Sequence, residues 1–224
     1  MATDGTYFAT RGLRRGTLVE SLYAELWPVG LVFALVIAAV WTSPGRGDAV
    51  VFLCAIISIV ALTVRSGYSA GQLGLSQPLS GAWVMLAAGA LLVGVIAATG
   101  PVTRIFGAAQ SVPLHRAWQY SIWALVQEFI LQSFFFVRLE SVLGGRRAVW
   151  VAAVLFAIAH IPSPLLTLLS FLGALFFCEM FRRYRNILPL GVVHAALGLT
   201  VAASLPDSLL HHMRVGIGYL MYHP

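Results

Sequence analysis

The stretch Trp118–Arg138, WQYSIWALVQEFILQSFFFVR, reads as a membrane-spanning helix with a carboxylate, Glu128, near its middle. An ionisable group at that depth costs roughly 2.5–3.5 kcal/mol on insertion scales, so it faces a protein interior or a water-filled cavity rather than lipid. The surrounding composition agrees. Of 224 residues, 59% are hydrophobic and 10% charged, whereas a soluble domain carries about 25% charged residues. The fold class expected is therefore all-α, a polytopic membrane helix bundle. The apolar segments lie too close together for a separate soluble domain, so residues 1–224 read as one integral membrane domain.

Seven apolar segments approach the length of a span, about 17 to 25 residues. They are Leu26–Thr42, Ala49–Val64, Gly81–Val102, Ala117–Val137, Ala148–Ile161, Leu165–Cys178 and Ile187–Leu205. The fifth stops at Pro162 and Pro164, which disfavour helix continuation. Ser66–Ser80 is rich in Gly, Ser and Gln and reads as a loop or a surface-lying piece. Val215–Tyr222 is too short to span and reads as an interfacial C-terminal segment. The polar N-terminus, through about Glu25, is too long for a signal peptide, so the first apolar run is kept as a span.

The formal net charge of +6 comes from 14 arginines, with no lysine. They cluster between the apolar runs, a pattern of membrane topology and not of nucleic-acid binding. With the N-terminus in the cytoplasm, Arg46, Arg104, Arg116 and Arg214 fall outside and the other ten inside. That bias predicts a cell (plasma or inner) membrane protein with its N-terminus cytoplasmic. Cys54 and Cys178, in or beside apolar segments, imply neither a disulfide framework nor a zinc knot.

Two later apolar segments carry histidines, His160 and His194. Counted from Arg138, Arg147 and Arg185, the three groups Glu128, His160 and His194 lie about 15, 20 and 14 Å deep at 1.5 Å per residue. One slice of the bundle therefore holds all three, and they are expected to share a buried site. A carboxylate and two imidazoles suit water activation, and equally suit a two-His, one-carboxylate metal set. Each also has a structural reading, Glu128 as a buried acid bonded to Gln132 one turn on. No HExxH helix is present, and Ser163 and Ser170 lack the Gly-x-Ser-x-Gly setting of a serine nucleophile. Glu140 and Glu179, beside arginines, read as interfacial ion pairs. Phe134–Phe136 read as lipid-facing or core, and His211, His212 and His223 as surface residues.

Three motifs, Gln127-Glu128-Phe129-Ile130-Leu131-Gln132, then Phe156-Ala157-Ile158-Ala159-His160, then His194-Ala195-Ala196-Leu197-Gly198, resemble the CPBP family of CAAX-type proteases and bacteriocin-processing or self-immunity membrane proteins. The resemblance runs from about Trp118 to Thr200, and it implies a catalytic core near 117–205. Gln127 stands where that family has its first glutamate, Gln132 where it has arginine, and Gly198 where asparagine is common. An amide cannot take a proton, so the resemblance leaves Glu128 to do so. An acid and its counter-charge have gone together, as in a divergent subfamily. The chain is also short, like the myxosortase-like relatives that trim C-terminal sorting tails.

The resemblance implies glutamic-type peptide hydrolysis within the bilayer. Glu128 and His160 would activate water, and His194 would polarise the scissile carbonyl. Gln127, Gln132, Phe156 and Gly198 would orient substrate or acid. No cofactor is expected; a divalent metal held by Glu128, His160 and His194 is the alternative. The expected partners are a membrane-anchored protein or peptide substrate and the lipid bilayer, with no nucleic acid. Two other readings stand beside it: a catalytically altered immunity or membrane binding protein, and a small transporter or proton relay.

Overall fold

The computed structural model describes residues 15–222, apart from Arg104, Phe106, Gly107, Ala109 and Gln110. Three expectations fall outside these residues: the polar extreme N-terminus, the topological roles of Arg11, Arg14 and Arg104, and the surface reading of His223. The described chain is mainly helical. Its elements are α1 (Arg15–Trp41), α2 (Arg46–Arg65), α3 (Ala82–Thr103), α4 (Leu114–Glu128), a π-helical segment (Phe129–Phe136), α5 (Val137–Leu143), α6 (Gly145–Ile158), α7 (Pro164–Tyr184), α8 (Leu188–Ser204), α9 (Asp207–Leu210) and α10 (Gly216–Leu220). An all-α polytopic bundle is what these elements build.

Each of the seven apolar segments forms a helix, and they differ in length. Among the described residues five helices are long and apolar enough to cross a membrane: Leu22–Trp41, Arg46–Arg65, Ala82–Thr103, Leu114–Leu143 and Pro164–Tyr184. The other two, α6 and α8, have 14 and 17 residues. At 1.5 Å per residue α6 rises only about 21 Å, short of a hydrocarbon core of about 30 Å. It stops because the Pro162 and Pro164 turn follows at once. The fourth segment is longer than expected, since α4, the π segment and α5 run on as one 30-residue stretch.

Helix α8 sits between α3 and α4, while α6 packs on α7 and α1 on α2. The close approach of α8 to α4 depends on Gly191, where a Cβ would come within 2.7 Å of Leu125 Cδ1. Small residues at such contacts let membrane helices gain van der Waals contact, which in lipid takes over the role of hydrophobic burial. The core gathers around the π segment. Leu131, Phe134, Phe135 and Phe136 are all buried there, so the aromatic run packs inward and does not meet lipid.

Residues 66–80 form the expected loop, largely exposed and anchored to the bundle at two points. Leu73 is buried, its carbonyl accepts a 2.6 Å bond from Ser133 Oγ, and the Ser80 carbonyl accepts from Asn186 Nδ2 at 3.1 Å. The C-terminal segment is likewise docked. Gly216 N–H donates to Ile161 O at 2.9 Å, and at φ 53 its missing Cβ leaves room for the Val40 carbonyl of α1. The expected ion pairs form: Glu179 accepts from Arg182 and Arg183, and Glu140 pairs with Arg185.

Arg138 is only 1% exposed and ties two elements together. Its Nη1 donates to Phe134 O at 3.0 Å and its Nη2 to Leu62 O at 2.9 Å. Leu62 lies in the last turn of α2, where carbonyls lack helical partners and a cation is favoured by the helix dipole. The guanidinium also stacks 4.0 Å from the Phe134 ring centroid. Arg138→Leu should therefore leave both carbonyls unmet and lower stability by about 2 kcal/mol or more. A melting curve in detergent reads this; an unchanged midpoint would remove Arg138 from the framework.

Candidate functional site

Glu128 closes α4, and the backbone then widens into the π segment. Such segments recur at functional sites because they re-aim side chains against the regular helix. Here Glu128 and Gln132 both turn into the protein, each 0% exposed. Gln132 Nε2 donates to Glu128 Oε2 at 3.1 Å. The other oxygen, Oε1, accepts from His194 Nδ1 at 2.8 Å across to α8. Both carboxylate oxygens are thus engaged, and the bond to His194 joins α4 to α8.

The His194 ring is fixed from three further sides. Phe177 stacks on it with centroids 5.1 Å apart and planes at 17°. Phe156 and Tyr120 meet it edge-on at 6.0 and 6.5 Å. With Nδ1 spent on Glu128, Nε2 is the nitrogen left for other partners.

His160 follows the last turn of α6. Its Nδ1 lies 2.7 Å from Phe156 O. A carbonyl only accepts, so Nδ1 carries the proton, and in the neutral ring Nε2 keeps a free lone pair. The Phe156 ring lies 4.6 Å from the His160 ring. Phe156 therefore touches both histidines and spaces them.

His160 and His194 open on one cavity of about 790 Å³, within the usual 300–1,000 Å³ of ligand sites. Its walls come from α3, α4, α6, α7 and α8, and are mainly aliphatic and aromatic. Gln127, Phe156 and Gly198 line it; Glu128 and Gln132 do not. Neighbouring residues on a helix point about 100° apart, so Gln127 faces the cavity while Glu128 faces the core behind His194. Glu128 thus does not border the cavity, where it was expected to meet the water. No Asp or Glu lines the cavity among the described residues. Among those residues, too, no three His, Cys, Asp or Glu side chains are grouped to hold one metal ion.

Several lining residues escape a reading of sequence motifs. Arg116, Gln119, Tyr120 and Trp123 form one wall with the expected Gln127, and their spacing of three, four and seven from Arg116, with Gln127 at eleven, is a single helical face. That periodicity was the available signal. His212, expected on the surface, also lines the cavity, and its Nδ1 lies 2.5 Å from Asp207 Oδ2. It gets there because His211, His212 and Met213 all take positive φ, a fold of the chain that no residue type announces.

Gly198 lies one turn beyond His194 on α8. A Cβ there would overlap the Tyr120 hydroxyl and ring edge. The position where the resembled family commonly has asparagine is thus filled from α4 by a phenol.

Residues 109–200 match the family model described as type II CAAX prenyl endopeptidase Rce1-like. This segment is similar to the Rce1-like family. The match spans less than half of the 224 residues, but it contains Glu128, His160 and His194, and it bears out the CPBP resemblance. The Rce1-like family is one of proteases, and with five span-length helices the chain is a multi-pass membrane protein. No curated protein and no solved structure matches the chain.

Proposed function

We propose that this protein is an intramembrane endopeptidase that hydrolyses a peptide bond in a membrane-anchored protein or peptide. The observation that carries the reading is the Glu128–His194 bond of 2.8 Å beside a second imidazole, His160, on one cavity wall. Water held by His160 Nε2 adds to the scissile carbonyl carbon while its proton passes to that nitrogen. His194, whose Nδ1 is bonded to Glu128, donates from Nε2 to the carbonyl oxygen as it becomes an oxyanion. The C–N bond then breaks, and the proton returns from His160 to the leaving amine. The products are a carboxylate and an amine. Gln132 steadies Glu128, and Gln127 supplies an amide on the wall for substrate backbone. No step here needs a metal or cofactor.

The apolar walls suit a substrate carrying lipid or an apolar anchor near the cleaved bond, and trimming of a C-terminal sorting tail is one such reaction. The arginine distribution supports a cytoplasmic N-terminus.

One observation favours a second reading, a binding or immunity protein that does not hydrolyse. The cavity wall carries an amide, Gln127, and no carboxylate. A single assay separates the two. Full-length protein in detergent is given a farnesylated peptide ending in a CAAX sequence and, separately, an unprenylated peptide with an apolar helix and arginine tail. Mass spectrometry of the peptides follows. Shortened products from wild-type protein support hydrolysis. Peptide that co-purifies with the protein but stays intact supports the second reading and removes the first.

A further inference from the structure

Tyr120 has a ring well placed and a hydroxyl with nothing to bond. It lies on α4, seven residues before Gln127 and so about two turns along the same face. Its ring edge meets His194 at 6.5 Å, and its oxygen lies against Gly198, the residue one turn beyond His194. Tyr120 lines the cavity, yet among the described residues its hydroxyl has no hydrogen-bond partner. Tyr120 is half-buried, and a tyrosine hydroxyl in such a place ordinarily finds a partner. The space left to this one is the cavity, so its partner is whatever occupies that space. Gly198 is what permits the arrangement, since any side chain there would push the phenol aside.

We infer that Tyr120 is a further catalytic residue, its O–H donating to the same oxyanion that His194 Nε2 meets. The inference rests on the proteolytic reading above. A neutral phenol suits this role. It supplies a donor without adding a second cation, and it holds its proton through the cycle, because the water's proton goes to His160 and then to the amine. Two donors from different helices, α4 and α8, would then fix the carbonyl oxygen while His160 approaches from α6.

The test uses full-length protein in detergent with the farnesylated CAAX peptide, measuring kcat and KM separately. Tyr120→Phe removes one oxygen and keeps the ring that packs on Gly198, so the melting temperature should not move. Its kcat should fall by about 10²-fold, as for loss of one oxyanion donor, with KM within about threefold of wild type. Gly198→Ala keeps the hydroxyl but displaces it, and should lower kcat by about tenfold or more. Wild-type kcat in Tyr120→Phe, or a rise in KM alone, overturns the role of Tyr120 and leaves the protease standing. A wild-type protein that cleaves neither peptide overturns the proteolytic reading, and this role with it.

Discussion

His160→Ala lowers kcat for peptide hydrolysis by about 10³-fold or more. The basis is that His160 borders the cavity beside His194 with its Nε2 free to accept, because Nδ1–H donates to Phe156 O. General-base catalysis contributes typically about 10² to 10⁴-fold, and no carboxylate on the wall can replace it. The ring borders the cavity, so its removal enlarges an existing space and does not open a new hole in the core. Membrane insertion and melting temperature should therefore stay near wild type. His160→Gln serves as a second variant: it keeps a polar group there, cannot take a proton, and should be as inactive. Product masses from each variant, normalised to inserted protein, give the result. Cleavage by His160→Ala at a tenth of the wild-type rate or better sinks the assignment.

Glu128→Gln should cost about as much activity with little loss of stability, and Glu128→Ala should cost both. In the native protein Oε1 accepts from His194 and Oε2 from Gln132. A glutamine can still accept from His194 with its oxygen. Its new amide group would then face Gln132, whose Oε1 is buried and without a partner, so a turn of that amide restores the bond. What is lost is the negative charge that Glu128 holds against His194 Nδ1. Where a carboxylate orienting a catalytic imidazole becomes an amide, the loss is about 10⁴-fold. Alanine, by contrast, strands the Nδ1–H of His194 and the amide of Gln132, at about 1–3 kcal/mol each. Kinetics and melting curves on both variants would show the split. A fully active Glu128→Gln would mean that the carboxylate only braces α4 against α8.

Much of the fold is legible along the chain because a membrane helix satisfies its backbone within itself. Each apolar run therefore becomes a helix whatever its neighbours do, and all seven appear at close to the expected places. Helix length is less legible. The Pro162 turn cuts α6 short, and the π segment lets the fourth stretch run to 30 residues. The site divides in the same way. An acid and two histidines stand out because such groups are costly in lipid, and Glu128 and His194 do meet. That Glu128 sits behind an imidazole while Gln127 faces the cavity depends on how α4 is rotated against α8.

Composition and spacing alone, then, determined a polytopic helical bundle, the positions of its helices and three residues too polar for lipid to ignore. Those properties are local: they follow from hydrophobic length and from the cost of an ionisable group in hydrocarbon. The tertiary structure alone decided which atom of each group meets which partner, that Tyr120 fills the place left by Gly198, and that His212 comes to the cavity wall. Such contacts join residues far apart in the chain. They arise from helix rotation and close packing, to which a residue's immediate neighbours in sequence contribute little.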